Sequence, residues 1–436
     1  MKKVLFFWKE LIATFWFLPV IILGFSVLLS IGLVYLDSII TISQEGWLRF
    51  FLVNSSDSAR SILSTISGAM IGVAGTVFSV TLVALTLASS QLGPRLIQNF
   101  MYVRLNQVVL GSYVSTYLYC LLVLNSVTDG NGFTFIPSIS ILAAILAAIA
   151  NIILLILFIH QIAINIQADK VISDISDIIS KQVETLFPEK MGEVKENEEN
   201  LDTSAAISGY QKHTPIKSPN KSGYLQYIDS EALMEVVTRH NALLELYHRP
   251  GNYLVRGAEL GLLYSNTHLE KDALEKILKQ FVIGKKKTSQ QNLEFSIHQM
   301  VEIAARALSP GVNDPYTTIT CIDNLAATMS HLAQAKFPSK YRYDEVGNLR
   351  IIANTLDFEG VLDSAFNQIR QFSGGSPAVI IRLMEALATI HNFTSKKSHK
   401  KAVIKHAEMV LRVGKETIKE KNDLDDLTER AEKILK

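Results

Sequence analysis

Four long apolar stretches near the start of this chain constrain its fold more than any other feature. A hydrocarbon core about 30 Å thick requires about 20 apolar residues in helical conformation. Stretches at 11–36, 61–91, 108–127 and 133–159 meet this requirement, and none of them contains Asp, Glu, Lys or Arg. Because lipid leaves backbone polar groups to be satisfied within helices or closed barrels, we expect four transmembrane helices.

The remainder of the chain has a different composition. Hydrophobic residues make up 48% of the sequence and the mean hydropathy is +0.23, yet most charged residues follow residue 165. This contrast predicts a lipid-embedded part joined to a large water-soluble part. The net charge of +1 favours no nucleic-acid partner, and two cysteines are too few for a disulfide framework.

The basic residues predict the orientation in the membrane. Lys2, Lys3 and Lys9 precede the first apolar stretch, the loop 125–137 has no Lys or Arg, and the tail after the fourth stretch is rich in both. An even number of spans places both termini on one side, and the positive-inside rule makes that side the cytoplasm. We also expect the indole rings to lie near the membrane interfaces; they belong to Trp8, Trp16 and Trp47.

The second apolar stretch differs from the others because small and hydroxylated residues recur along it. Its glycines form a GxxxG pair, which is typical of helices that pack closely. The same residue types also line narrow water paths through membranes, and both interpretations can hold in an oligomer. The candidate pore-lining residues are Gly68, Gly72, Thr76, Ser79, Thr86 and Ser90.

Helical spacing continues from the fourth apolar stretch through Leu186. This pattern predicts either one long helix that leaves the membrane as an amphipathic stalk or a surface helix of the soluble part. Beyond it, the acidic, Pro- and Ser-rich segment 188–222 is typical of a flexible linker. The predicted organisation is a four-helix transmembrane domain (1–160), an amphipathic stalk (161–187), a flexible linker (188–222), a small βαββ module (223–265) and an all-α helical domain (266–436).

Within the soluble part, the segment ALSPGVNDP at 307–315 indicates a sharp corner between two helices. Asp314 is placed to cap the second helix with Pro315 in its first turn, and Glu302 and Arg306 are spaced to pair on the first. Alternatively, polar side chains of this corner form a pocket in which helix-start amides bind an anion, although Asp314 would oppose one. The ligand-pocket candidates are Arg306, Ser309, Asn313, Asp314, Thr317 and Thr318.

Motifs for known catalytic chemistry are missing from the sequence. The run GKKKTS at 284–289 lacks the upstream glycine of a phosphate-binding loop, and the histidines never occur at HExxH spacing. There is no GxSxG elbow, and DGNG at 129–132 is better explained as a turn than as a calcium loop. We therefore expect no cofactor, no metal and no catalytic residue, and an enzyme is the weakest functional hypothesis.

Two segments, SVTLVALTLASSQLGPRLI in the second apolar stretch and FSIHQMVEIAARALSPGVNDPYTTITCIDNL at 295–325, resemble the bacterial predicted membrane proteins grouped as domain of unknown function 2254. The resemblance covers nearly the whole chain. It implies a multi-pass protein of the bacterial cytoplasmic (inner) membrane and supplies no reaction, substrate or catalytic residue.

Three functional hypotheses follow from these observations. The first is a homo-oligomeric, channel-like pore gated by the cytoplasmic domain, because the second span is uncharged and rich in small and hydroxylated residues. The absence of charges from the spans argues against an ion-coupled carrier, which usually needs one. The second is a membrane-anchored sensor or scaffold whose cytoplasmic domain binds a ligand or protein. The third is a membrane enzyme.

Overall fold

The computed structural model describes residues 14–40, 55–93, 104–130, 133–165, 167–183, 203–219, 221–335 and 337–435, with short pieces at 8, 11–12, 53 and 191–193. The described chain divides into two compact units. The first ends at Lys170 and the second begins at Val171. Trp47 and the N-terminal lysines lie outside the described residues, so their predicted positions stay predictions.

The first unit contains four helices that are long and apolar enough to cross a membrane. They are α1 (Phe17–Ile39), α2 (Ser56–Leu92), α3 (Arg104–Ser126) and α4 (Ser138–Asn165). Within the described residues, the prediction of four apolar helices is therefore confirmed. A short hairpin of β1 (Thr128–Gly130) and β2 (Phe133–Phe135) lies between α3 and α4; Asp129 and Gly130 of the DGNG segment belong to β1, and its other two residues lie outside the described chain.

Helix α3 is the centre of this unit, since it packs against α1, α2 and α4. Its Gly111 permits close approach to α1, because a Cβ atom at this position would lie 2.9 Å from the Cα atom of Pro19. The ends of α1 and α4 are joined by Asp37, whose carboxylate accepts hydrogen bonds from the Ile139 and Ser140 amides at 2.9 Å each. This contact satisfies free amides at the start of α4, as a helix cap does.

The predicted continuous stalk is wrong. Helix α4 ends at Asn165, and a separate helix, α5, runs over Ala168–Val183. Asn is a weak helix former, and Asp169 in the first turn of α5 favours a new helix start there. The buried face of α5 includes Ile172, Ile175 and Ile179. Because nearly all of α5 belongs to the second unit, the structure favours the alternative of a surface helix.

The predicted linker 188–222 is wrong in part, since it contains regular structure. Helix α6 covers Thr203–Ser208, and strand β3 covers Lys212–Lys217. Pro215 lies within β3, which is tolerated because β3 is the edge strand of its sheet and pairs with only one other described strand, β7. Residues 184–190 and 194–202 of this region lie outside the described chain.

Eight strands of the second unit form two sheets. After β3, the strands are β4 (Gly223–Ile228), β5 (Leu243–Leu246), β6 (Tyr253–Leu254), β7 (Glu259–Ser265), β8 (Phe281–Gly284), β9 (Tyr341–Tyr343) and β10 (Leu349–Ile352). One sheet has the order β3-β7-β5-β10-β9, in which only the β10–β5 pair is parallel, and the other has the order β6-β4-β8. Residues of both sheets, including Leu225, Leu244 and Ile351, belong to one apolar core.

The architecture of the predicted βαββ module is not confirmed. Strand β4 and the following helix α7 (Ser230–Arg239) fit the predicted order of strand and helix, and α7 is capped by Asp229, whose side chain accepts from the Ala232 amide. Three strands follow α7 in this segment where two were predicted. The strands of this segment also pair with β3, β8 and β10, which lie outside it in sequence. They therefore do not form a separate module.

Helices dominate the rest of the chain. They are α8 (Lys271–Leu278), α9 (Leu293–Ala307), α10 (Pro315–Gln334), α11 (Phe358–Phe372), α12 (Pro377–Phe393), α13 (Lys397–Thr417) and α14 (Lys421–Leu435). The prediction of an all-α domain over 266–436 is wrong, because β8, β9 and β10 lie within it. Helices α9 to α14 pack pairwise, with α12 against α10, α13 and α14.

Candidate functional site

The candidate pore-lining residues lie on one stripe of α2. All six are exposed, and nothing lies within 4 Å of a Cβ atom built at Gly68 or Gly72. The hydroxyls of Thr76 and Thr86 donate to carbonyl groups of their own helix, at 3.3 Å and 2.9 Å. These bonds use the hydroxyl protons and leave oxygen lone pairs facing outward.

The opposite side of α2 packs within the chain. Ala59, Leu63, Met70, Ala74 and Val77 are buried there, in two apolar clusters shared with α3 and α4. At 100° per residue, the stripe and this buried side are about 180° apart around the helix. The GxxxG pair therefore does not pack α2 against the other described helices of its own chain. Close packing through Gly68 and Gly72 would need another molecule.

The sequence interpretation missed a buried polar group between α3 and α4. The side chain of Asn151 is fully buried and its Nδ2 donates to Thr116 Oγ1 at 2.8 Å, while its Oδ1 has no hydrogen-bond partner within the described structure. The Tyr113 hydroxyl donates to the Asn151 carbonyl oxygen at 2.7 Å. An amide within the most apolar of the four described helices was the available signal, since polar side chains in spans face other helices or cavities.

The ligand-pocket candidates form a helix corner between α9 and α10. Asp314 caps α10, and its carboxylate accepts from the Thr317 amide at 3.1 Å and from Thr317 Oγ1 at 2.6 Å. These bonds hold the pKa of Asp314 below its usual value, and the bond from the Thr317 hydroxyl contributes most. Burial acts in the opposite direction. Asn313 has φ of 50°, a left-handed conformation that Asn adopts more readily than most residues. The predicted cap and the Pro315 helix start are thus confirmed.

The other corner residues also bond locally. Ser309 Oγ donates to the Arg306 carbonyl oxygen at 2.6 Å, and Thr318 Oγ1 donates to the Ala304 carbonyl oxygen at 3.1 Å. Arg306 lies 3.6 Å from Glu302, as their spacing predicted. The structure brings these residues together along the chain, but their hydroxyls bond to the protein itself. A ligand at this corner stays a prediction.

Within the described residues, no group of three or more His, Cys, Asp or Glu side chains could hold a metal ion. A buried ion pair belongs to the β9–β10 hairpin, where Arg350 Nε donates to Asp344 Oδ2 at 2.7 Å. Two amides at 346 and 348 also donate to Asp344 Oδ1. This arrangement fixes a tight turn and leaves the carboxylate no exposed side for a substrate.

Fold and sites together define a polytopic membrane protein with four apolar helices and a mixed helical and sheet unit. The sequence model of one family, described as "predicted membrane protein (DUF2254)", matches residues 13–389. The chain belongs to this family, as the resemblance predicted. Uncharacterized proteins of Mycobacterium bovis and Mycobacterium tuberculosis are 29% identical to it over 416 residues, which cover 94% of this chain and 77% of each relative. No solved structure matches the chain.

Proposed function

We propose that this protein is a homo-oligomeric, channel-like pore of the bacterial cytoplasmic membrane, with both termini in the cytoplasm and the second unit as its gate. The single observation that carries the proposal is the stripe of small and hydroxylated residues on α2. No described helix of the same chain covers this stripe, although the opposite side of α2 is well packed.

The chemistry of the stripe supports contact with another copy or with water rather than with lipid alone. Lipid tails are as apolar as Leu, so helices in a membrane associate through close packing and hydrogen bonds, which small residues permit. From Gly68 to Ser90 the stripe extends about 33 Å at 1.5 Å per residue, which is close to the thickness of the hydrocarbon core. Copies of α2 arranged around an axis would therefore present small residues across the whole membrane.

The lining of such a pore would be uncharged. The hydroxyls of Thr76 and Thr86 donate to carbonyl groups of α2 itself, so their oxygen lone pairs would face the axis. Oxygen acceptors replace hydration water around small cations better than around anions. Water or small cations are the permeants that fit this lining.

Flux from liposomes that contain the purified full-length protein tests the proposal. We expect flux from the wild type and its loss in Gly72→Leu and Ser79→Leu, because a large side chain would block the axis. Ala69→Leu is the matched control, since Ala69 is also exposed on α2 but lies about 70° from the centre of the stripe. Flux that is equally lost in the control, or kept in both stripe variants, would contradict the proposal.

Cysteine cross-linking tests the oligomer separately. Both native cysteines, Cys120 and Cys321, are buried, so they do not interfere. Because a disulfide needs Cα atoms less than about 7 Å apart, Ser79→Cys should link copies in membranes and Val80→Cys should not. Cross-linking without flux under varied voltage, pH and salt would favour the membrane-anchored sensor or scaffold instead.

A further inference from the structure

A cavity of about 180 Å³ lies in the first unit among α1, α3 and α4. Five hydroxyl residues line it: Ser26, Ser112, Ser115, Thr116 and Tyr119. At about 30 Å³ per water, this volume equals about six waters. No α2 residue lines it, so the cavity is separate from the α2 stripe. It does not depend on the proposed pore.

The cavity lies near the middle of the membrane-spanning helices. Ser115 is at the centre of α3 (Arg104–Ser126), and Ser26 is close to the centre of α1 (Phe17–Ile39). Bulk water does not reach this depth, so a polar group here must find a partner in the protein or in a bound molecule. Several hydroxyls around one cavity at this depth mark it as a place for a polar ligand group.

The directions of the hydrogen bonds show what the cavity offers. Ser26 Oγ donates to the Ser115 carbonyl oxygen at 2.8 Å, and Ser115 Oγ donates to the Ser112 carbonyl oxygen at 3.0 Å. The Tyr119 hydroxyl donates to the Ser140 carbonyl oxygen at 2.9 Å. Each of these hydroxyls has used its proton, so the oxygen that remains can only accept. The cavity therefore favours a ligand that donates a hydrogen bond.

Thr116 adds the opposite capacity. Its Oγ1 accepts from Asn151 Nδ2 at 2.8 Å, so its own proton is available to donate. Behind it, the fully buried Asn151 Oδ1 has no partner in the described chain. A group that both donates and accepts, such as an alcohol, matches this set of partners.

We propose that this cavity binds the hydroxyl group of a small neutral alcohol dissolved in the bilayer. No charged side chain lines the cavity, so neither a phosphate headgroup nor a carboxylate would be compensated there. The apolar wall of Ile22, Phe25 and Leu29 would contact the hydrocarbon chain of the alcohol. The cavity is partly open at the surface of the helix bundle, so a ligand dissolved in the lipid can enter it.

A diazirine derivative of octanol is a suitable probe for the full-length protein in phospholipid nanodiscs. We expect photochemical adducts on peptides that contain 22–29 and 112–119. Unlabelled octanol should compete for them, whereas octane, which lacks the hydroxyl group, should not. Adducts spread evenly over all lipid-facing helices, or equal competition by octane, would overturn the proposal.

Two variants sharpen this test. Ala147→Leu should fill the cavity and remove the adducts, and Ala150→Leu, exposed on the same helix, should leave them unchanged. Ser115→Ala changes the volume little but removes one acceptor, so octanol should compete about two- to tenfold less well. Unchanged competition in Ser115→Ala would overturn the role of the hydroxyls. Disulfide-linked dimers of Ser112→Cys would mean that a second copy covers the cavity, which would also overturn the proposal.

Discussion

Substitution of alanine for glycine should affect packing within the chain at one position of the membrane helices and leave it unchanged at another. Gly111 on α3 faces α1, where a Cβ atom would lie 2.9 Å from Pro19 Cα and 3.0 Å from Ile22 Cδ1. Gly72 on α2 has nothing within 4 Å of its Cβ position. Alanine should therefore disturb packing within the chain at Gly111 and leave it unchanged at Gly72.

The magnitude follows from the distances. Carbon atoms pack at about 3.5–4.0 Å, so Gly111→Ala requires α1 and α3 to separate by about 0.6–1 Å. Overpacking of this kind costs about 1–3 kcal/mol. Both substitutions also gain up to about 1 kcal/mol of helix propensity, but this gain is common to both and cancels in the comparison. We expect Gly111→Ala to be about 1–3 kcal/mol less stable than Gly72→Ala.

Reversible unfolding in mixed detergent micelles, followed by the fluorescence of the N-terminal tryptophans, measures this difference. In cross-linking of membranes the order should reverse, with Gly72→Ala reducing the oligomer and Gly111→Ala leaving it intact. Equal effects of the two substitutions on unfolding would refute the helix packing argued from the glycines. An intact oligomer in Gly72→Ala and in Gly72→Leu would refute the α2 interface.

Three carboxylates give further predictions. Asp344→Asn should destabilise the second unit by about 3–5 kcal/mol in urea unfolding followed by circular dichroism, because Arg350 would lose its buried partner. Burial raises the pKa of Asp344, but hydrogen bonds from the Asn348 amide and from Arg350 outweigh this effect and lower the pKa from 3.8 to about 2. The lowered pKa stabilises the fold by about 2 kcal/mol above about pH 5. In an acid titration, this stability should be lost as the pH falls through 3.8 towards 2. Asp314→Ala should cost about 1 kcal/mol through the lost cap and Asp314→Asn should cost less; equal losses in urea would contradict a purely structural corner. Asp37→Asn should cost about 1 kcal/mol in detergent unfolding, because a neutral amide is a weaker partner than a carboxylate for the α4 amides; an unchanged midpoint would contradict the cap.

The membrane helices were predictable because a run of about 20 apolar residues has one stable conformation in lipid. The strands β8, β9 and β10 were not, because each has only three or four residues and short apolar runs do not separate strand from helix. Their conformation is decided by pairing partners distant in sequence, such as Leu244 for Ile351. The break after Asn165 was missed for a related reason, since the apolar spacing continues across it.

Among the candidate sites too, those formed by residues near in sequence were predictable, and those formed by residues distant in sequence were not. The stripe on α2 could be predicted from residue types and helical spacing alone, because it lies within one helix. The hydroxyl-lined cavity could not, because its lining residues, such as Ser26, Ser115 and Ala147, come from three helices whose facing sides are unknown until the bundle is assembled. The corner residues around Asp314 were predictable, since capping involves neighbours in sequence.

Strand β10 has a consequence for synthesis of the chain on the ribosome. It lies between β5 and β9, and its parallel pairing with β5 joins residues more than 100 positions apart, as in the pair Ile351 and Leu244. At about 5–20 residues per second, β5 leaves the ribosome about 5–20 s before its partner. During this interval β5 carries an unpaired edge, so a nascent chain that stops short of residue 352 is a natural target for chaperones and proteases.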